Sequence, residues 1–177
     1  MIVEQTPIGG AYLITPAPRS DHRGWFMRTF DQDLFRAHDL CTNWVQMNHS
    51  MTVTAGSIRG MHFQHIPAAE VKLVRCVAGR VFDVLVDLRP DSPTRWQWFG
   101  VELSAHNQQQ LYIPEGCAHG FQTLEPNCEM VYCHSAAYAP EHEGGVRYND
   151  PLIAINWPLP VTDISARDAG HALLSTL

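Results

Sequence analysis

Two clusters in this chain hold side chains that can move protons beside a carbonyl group. The first is Arg59-Gly-Met-His62-Phe-Gln64, with Lys72 shortly after it. The second is Pro114-Glu-Gly-Cys-Ala-His119-Gly, where a turn delivers a histidine onto the segment that follows. A histidine titrates near neutrality and can take a proton from a carbon next to a carbonyl. A lysine or arginine can stabilise the enolate oxygen that then develops. A tyrosine on the far side can return a proton to the other face of the carbanion. Base on one side, acid on the other and a cation between them are what an epimerase needs, and the spacing suits that logic. If the first cluster is a strand, Gly60, His62 and Gln64 share one face while Arg59, Met61 and Phe63 share the other.

The two clusters also resemble the paired signatures of the cupin barrel, a histidine strand with a later glutamate and then P-x-G-x-x-H. That barrel commonly holds a metal. Here the second histidine position is Gln64, an amide that ligates transition metals poorly. His65 is one residue late, which puts it on the opposite face, and Glu70 follows Pro67. A metal-dependent cupin oxygenase or isomerase using His62, His65, Glu70 and His119 therefore requires a bulge that re-aims His65 or Glu70. The favoured reading has no metal and no other cofactor.

The elements that must position these residues read as strands. Lys72 to Val77 and Arg80 to Leu88 are β-rich runs separated by a hairpin-like break at Ala78-Gly79. Trp96 to Leu103, Gln109 to Ile113 and Glu129 to Tyr132 follow, with turn chemistry at residues 89–93, 114–116 and 125–127. Short strands at this spacing predict an all-β antiparallel sandwich or barrel. Two short peripheral helices are expected, over Asp31 to Leu40 and behind the capping-box sequence Ser165-Ala-Arg-Asp168. Asp83 and Asp87 alternate with apolar residues and read as a solvated face.

With 177 residues, 45% of them hydrophobic and no repeat or linker, the chain is expected to form one domain over residues 1–177. Its net charge of -6 and twelve scattered Lys and Arg argue against nucleic acid, which calls for a basic face. No apolar run reaches the length of a membrane span, and the first residues do not read as a signal peptide, so no membrane is expected as a partner. The five cysteines form no C-x-x-C pair; they read as reduced thiols of a cytoplasmic protein, with Cys117 and Cys133 near enough to the clusters to line a pocket.

Ordered blocks along nearly the whole chain resemble the dTDP-4-dehydrorhamnose 3,5-epimerases. They are Asp21-His-Arg23-Gly-Trp-Phe26, Gln46-Met-Asn48-His-Ser50, Arg59-Gly-Met-His62-Phe-Gln64, Lys72-Leu-Val-Arg-Cys76, Gly79-Arg-Val-Phe-Asp-Val84 and Tyr112-Ile-Pro-Glu-Gly-Cys-Ala-His119-Gly-Phe121. Tyr132, Tyr138, Tyr148-Asn-Asp-Pro151 and Ile164-Ser-Ala-Arg-Asp168 complete them. The resemblance implies a cupin-type jelly-roll barrel and a homodimer in which an N-terminal strand crosses to the partner. It implies epimerisation at C3 and C5, or at one of them, of a nucleotide-linked 4-keto-6-deoxyhexose. His62 would be the base, Asp168 its orienting partner, Tyr132 the acid and Lys72 the enolate stabiliser. Arg23, Gln46, Asn48, Arg59, His119, Glu143 and Arg167 would hold the nucleotide-sugar, with Tyr138 beside the substrate.

Without the resemblance, Asp168 reads as a helix cap, Tyr132 as core and Lys72 as a solvent-facing strand residue. A sugar- or nucleotide-binding barrel without chemistry is the non-enzymatic alternative. Two positions depart from the family pattern: Arg28 stands where a glutamate contacts the nucleotide, and Met47 removes a carboxylate between Gln46 and Asn48. Charge reversal at such a contact would alter recognition of a base N–H, so these departures point away from dTDP, with CDP or GDP as candidate carriers.

Overall fold

A computed structural model describes residues 1–174; the last residues of the expected domain, 175–177, lie outside the described residues. The strands are β1 (Ile2–Gln5), β2 (Tyr12–Thr15), β3 (Arg19–Asp21), β4 (Gly24–Phe26), β5 (Gln46–Thr52), β6 (Ser57–Gln64), β7 (Lys72–Ala78), β8 (Arg80–Asp87), β9 (Trp98–Ser104), β10 (Gln110–Ile113), β11 (Cys117–Thr123), β12 (Cys128–His134), β13 (Glu143–Gly145) and β14 (Asp163–Ile164). They build a sheet of order β1-β2-β10-β7-β12-β5 and a second of order β13-β6-β11-β8-β9, to which β14 adds beside β6. The all-β jelly-roll expectation holds. Among the described residues, β3 and β4 pair only with each other, as an exposed hairpin.

The core lies between the sheets, where Val74, Cys76, Leu111 and Met130 of one meet Val81, Leu85, Leu103 and Phe121 of the other. A second cluster covers the outer face of the second sheet, with Val84, Val86 and Met61 under Ile153 and Trp157. β8 is thus buried on both faces. That corrects the solvated-face expectation: Asp83 and Asp87 are fully buried, because the polar side of the alternation points into the barrel. Asp87 accepts bonds from Arg89, Ser92 and Thr94 and fastens the loop beyond β8.

The break at Ala78-Gly79 is not a hairpin. β7 pairs with β10 and β12, and β8 with β9 and β11, so the chain crosses from one sheet to the other there. Gly79 makes the corner at φ 71°, and a Cβ on it would lie 2.8 Å from Cys128 Sγ.

Helix α1 (Gln32–Ala37) is shorter than expected. Asp31 caps it by accepting from the Asp33 and Leu34 N–H groups. It stops where Asp39 turns left-handed at φ 56°, with Asp39 N–H bonding Arg36 O and Leu40 N–H bonding Phe35 O, a Schellman ending. Helix α2 (Ala166–Ala169) starts at the expected cap, where Ser165 Oγ accepts from Asp168 N–H at 3.0 Å, but it is one turn that ends at Gly170 and does not take in Ala172-Leu173-Leu174.

Candidate active site

Strands of both sheets and the segment from β14 to α2 enclose a cavity of about 600 Å3. Strict alternation on β6 would put Arg59 and His62 on opposite faces, yet both line this cavity. The pairing explains it: His62 faces His119 and Arg59 faces Phe121, so β6 carries one residue more than β11 across that stretch. The resulting bulge turns His62 onto the face that Arg59 occupies. Gly60 sits at the bulge with φ 132°, and a Cβ there would lie 2.5 Å from Gly120 Cα.

His62 Nε2 lies 2.9 Å from Asp168 Oδ1, while Asp168 Oδ2 accepts from Gly60 N–H at 3.1 Å. Burial by itself would raise the Asp168 carboxyl. The His62 bond and charge, with the Gly60 N–H, outweigh it and hold the group well below the usual carboxylate range. An ionised carboxylate only accepts, so Nε2 carries the proton and Nδ1 keeps its lone pair as the basic atom. Arg167 stands alongside, its NH2 3.2 Å from His62 Nε2 and its Nε 3.3 Å from Asp168 Oδ1. Since Nε2 is already a donor, the guanidinium acts there on the carboxylate.

The opposite wall belongs to the other sheet. Tyr132 Oη is 2.9 Å from Ser50 Oγ, and its ring stacks on His134. Burial pushes the phenol far above its ordinary value, more than the Ser50 bond lowers it, so Tyr132 stays protonated. Lys72 Nζ donates to His62 O at 3.2 Å and pairs with Glu70 Oε1 at 3.1 Å. Glu70 Oε2 accepts from His134 Nδ1 at 2.7 Å, and His134 Nε2 accepts from Asn48 Nδ2 at 3.3 Å. Burial alone would raise Glu70; His134 and Lys72 together bring it below its ordinary value.

His119 Nε2 is 3.0 Å from both oxygens of the fully buried Asp83. Arg59 Nε donates to Thr52 Oγ1 at 2.8 Å. On the rim, Gln46 Oε1 accepts from Tyr138 N–H, Tyr138 Oη donates to Glu143 Oε2, and Arg167 NH1 bonds both Glu143 oxygens at 3.0 and 3.1 Å. Among the described residues, no helix is long and apolar enough to cross a membrane.

The family model for dTDP-4-dehydrorhamnose 3,5-epimerase matches residues 5–176. The chain belongs to the dTDP-4-dehydrorhamnose 3,5-epimerase family. The enzyme of that name from Salmonella typhimurium strain LT2 is 44% identical over 178 residues, covering 98% of this chain and 96% of the relative. The Bacillus anthracis dTDP-4-dehydrorhamnose 3,5-epimerase, a crystal structure with TDP and PPi bound, superposes with a TM-score of 0.95 at 40% identity, covering 98% and 99% of the two chains. The Legionella pneumophila RmlC in complex with dTDP-4-keto-L-rhamnose gives 0.94 at 38% identity, covering 99% and 94%. As a member of this family the protein is an isomerase of deoxysugar biosynthesis.

Of the epimerase residues expected from sequence, His62, Tyr132, Asp168, Lys72, Asn48, Arg59, His119 and Arg167 line one cavity. Gln46, Tyr138 and Glu143 join them through the rim bonds. Arg23 does not: it sits at the tip of the β3–β4 hairpin, paired with Asp21. Neither departure from the family pattern lies in this cavity. Met47 points outward, 69% exposed, on the face of β5 opposite Asn48, and Arg28 is held by Asp31. Cys117 packs in the inter-sheet core and Cys133 faces the outside of its sheet beside Trp44, so neither lines the cavity.

The four residues of the metal-cupin alternative do not converge. Glu70 is engaged by Lys72 and His134, His119 by Asp83 and His62 by Asp168, while His65 is exposed against Phe63. Sequence reasoning missed Ser50, Asp83, Glu70 as a cation partner, and His134. Ser50 and His134 share the period-two faces of Asn48 and Tyr132, a signal that was readable.

Proposed function

We propose that His62 and Tyr132 epimerise C3 and C5 of dTDP-4-keto-6-deoxyglucose from opposite faces of the sugar. The single observation that carries this is the placement of an Asp-oriented histidine on one sheet and a protonated tyrosine on the facing sheet, across one cavity. Both carbons flank the C4 ketone. His62 Nδ1 takes the C–H proton, the bonding pair becomes the enolate double bond, and negative charge moves to O4. Two of the three N–H bonds of Lys72 go to Glu70 and His62 O; the third is available to O4. Tyr132 then gives its phenolic proton to the opposite face, and exchange with water returns His62 and Tyr132 to their starting states.

Arg59, His119, Asn48, Gln46, Tyr138, Glu143 and Arg167 hold the nucleotide-sugar in this reading. The carrier is dTDP, in place of the CDP or GDP that Arg28 and Met47 suggested: the relatives carry that nucleotide in their names. A melting-temperature panel checks it, with protection by dTDP expected to exceed that by CDP or GDP. The protein acts as one domain and as a homodimer in which the β3–β4 hairpin carries Arg23 to the partner's cavity. The exposure of Phe26 (74%) and Trp25 (56%) on that hairpin supports this. Five unpaired cysteines support a reducing, cytoplasmic setting.

The test is NMR of the reaction in D2O. Deuterium at both C3 and C5 is expected; label at one carbon narrows the enzyme to a mono-epimerase, and label at neither overturns the proton-transfer reading.

A further inference from the structure

Beside the His62–Asp168 pair lies a third potential ligand that the proposed reaction does not use. His171 follows α2, and its ring lies over Gly145, where an added Cβ would fall 2.1 Å from Cε1. It meets the His62 ring edge-on at 5.9 Å between centroids. Its Nε2 is buried and, among the described residues, has no hydrogen-bond partner, although Asp168 Oδ1 is 3.9 Å away. A buried ring nitrogen without a partner is a cost unless something else occupies it.

We infer that His62, Asp168 and His171 form a binding site for a divalent transition metal, Zn2+ above all, and that occupancy inhibits the enzyme. Their donor atoms all lie within 4.8 Å of one another. Zinc takes imidazole nitrogen and carboxylate oxygen at about 2.0–2.2 Å in tetrahedral sites, which puts neighbouring donors about 3.3 Å apart. The separations of 2.9 Å (His62 Nε2 to Asp168 Oδ1) and 3.9 Å (His171 Nε2 to Asp168 Oδ1) bracket that value. Two histidines and one aspartate leave a fourth position for water, the pattern of an open zinc site.

Arg167 is the charge that opposes a cation here. Its side chain is 56% exposed and already bonds both Glu143 oxygens, so it can release the dyad and keep a partner. Inhibition follows from the imidazole chemistry and rests on the proposed role of His62. With Nε2 on the metal, the proton of the neutral ring sits on Nδ1, and the basic lone pair is gone.

The experiment uses the full-length protein with metal alone, then with substrate. Added Co2+ is expected to bind stoichiometrically and develop the visible absorption of a four-coordinate ion. Zn2+ should displace it and stop turnover, and chelation should restore turnover. His171→Ala, and the bulkier His171→Gln, should retain turnover while the half-inhibitory Zn2+ concentration rises tenfold or more, as for loss of a group that supports a metal site. Absence of stoichiometric Co2+ binding, or equal Zn2+ inhibition of the parent and both folded variants, overturns the site. Co2+ bound stoichiometrically with turnover undiminished keeps the site and overturns His62 as the base.

Discussion

Two histidine–aspartate pairs stand side by side in this barrel, on strands where His62 and His119 are register partners. Their contacts are alike in kind, 2.9 Å for His62–Asp168 and 3.0 Å for His119–Asp83. Their surroundings differ. Asp168 takes a second bond from Gly60 N–H with Arg167 beside it, and it is held well below the usual carboxylate range. Asp83 is sealed inside the barrel, where burial pushes its carboxyl up against the opposing pull of His119 and Lys72. The His62 side chain keeps 26% exposure toward the cavity, against 5% for His119. In the proposed reaction the same two residue types serve as a base at the cavity wall and as a fixed pair in the interior; both carboxylates are buried, and the bonds each one accepts decide the difference.

The comparison is sharpest in turnover. His62→Ala should lower kcat by about 10^2–10^4, the usual contribution of a general base, and abolish deuterium uptake at C3 and C5. Asp168→Asn should approach that loss, because an amide carbonyl cannot hold the imidazole in one tautomer as the carboxylate does. Asp83→Asn should affect KM more than kcat, since His119 is placed toward substrate binding. Steady-state kinetics of the three variants test this, and a kcat loss in Asp83→Asn equal to that in Asp168→Asn would erase the distinction.

Tyr132→Phe removes the proposed proton donor on the opposite wall and leaves the proposed base intact. Exchange of deuterium should begin while inversion falls about a hundredfold; unchanged product formation would sink the acid role. Glu70→Gln should act more mildly, lowering kcat about tenfold with KM little changed. It weakens one charge-assisted bond to Lys72, worth ~1.5 kcal/mol, and leaves the lysine in place.

What the sequence made legible follows the range of the interactions. β7, β8, β10 and β12 were readable within a few residues, because β-branched runs and turn residues are local signals. Sheet membership was not: a glycine at the break after β7 suits a hairpin and a crossing equally, and only pairing with distant strands distinguishes them. In the site, Asp168 carried two meanings that a local pattern cannot separate. Its N–H joins the Ser165 cap, as the capping-box pattern implies, while its carboxylate reaches His62, 106 residues earlier in the chain. Asp83 failed for a related reason. Period-two alternation shows that one face of β8 differs from the other, but not that both are covered. Its partner His119 is 36 residues away.

The smallest effect separates the two pairs without substrate. For Asp168 the folded value lies below the unfolded 3.8, so its contribution to stability is present above pH 3.8 and is lost as pH falls through the depressed value. For Asp83 the folded value lies above 3.8, so the folded protein holds the proton more tightly, and stability declines as pH rises from 3.8 through the raised value. The two carboxylates therefore tilt stability in opposite directions, in adjacent windows. Melting temperatures of Asp168→Asn and Asp83→Asn against the parent should show it. The deficit of Asp168→Asn should shrink on acidification below pH 3.8, while Asp83→Asn should gain relative to the parent as pH rises above it. Differences of the same sign and in the same window would mean that both aspartates share one electrostatic environment, and the contrast between the two pairs would fail.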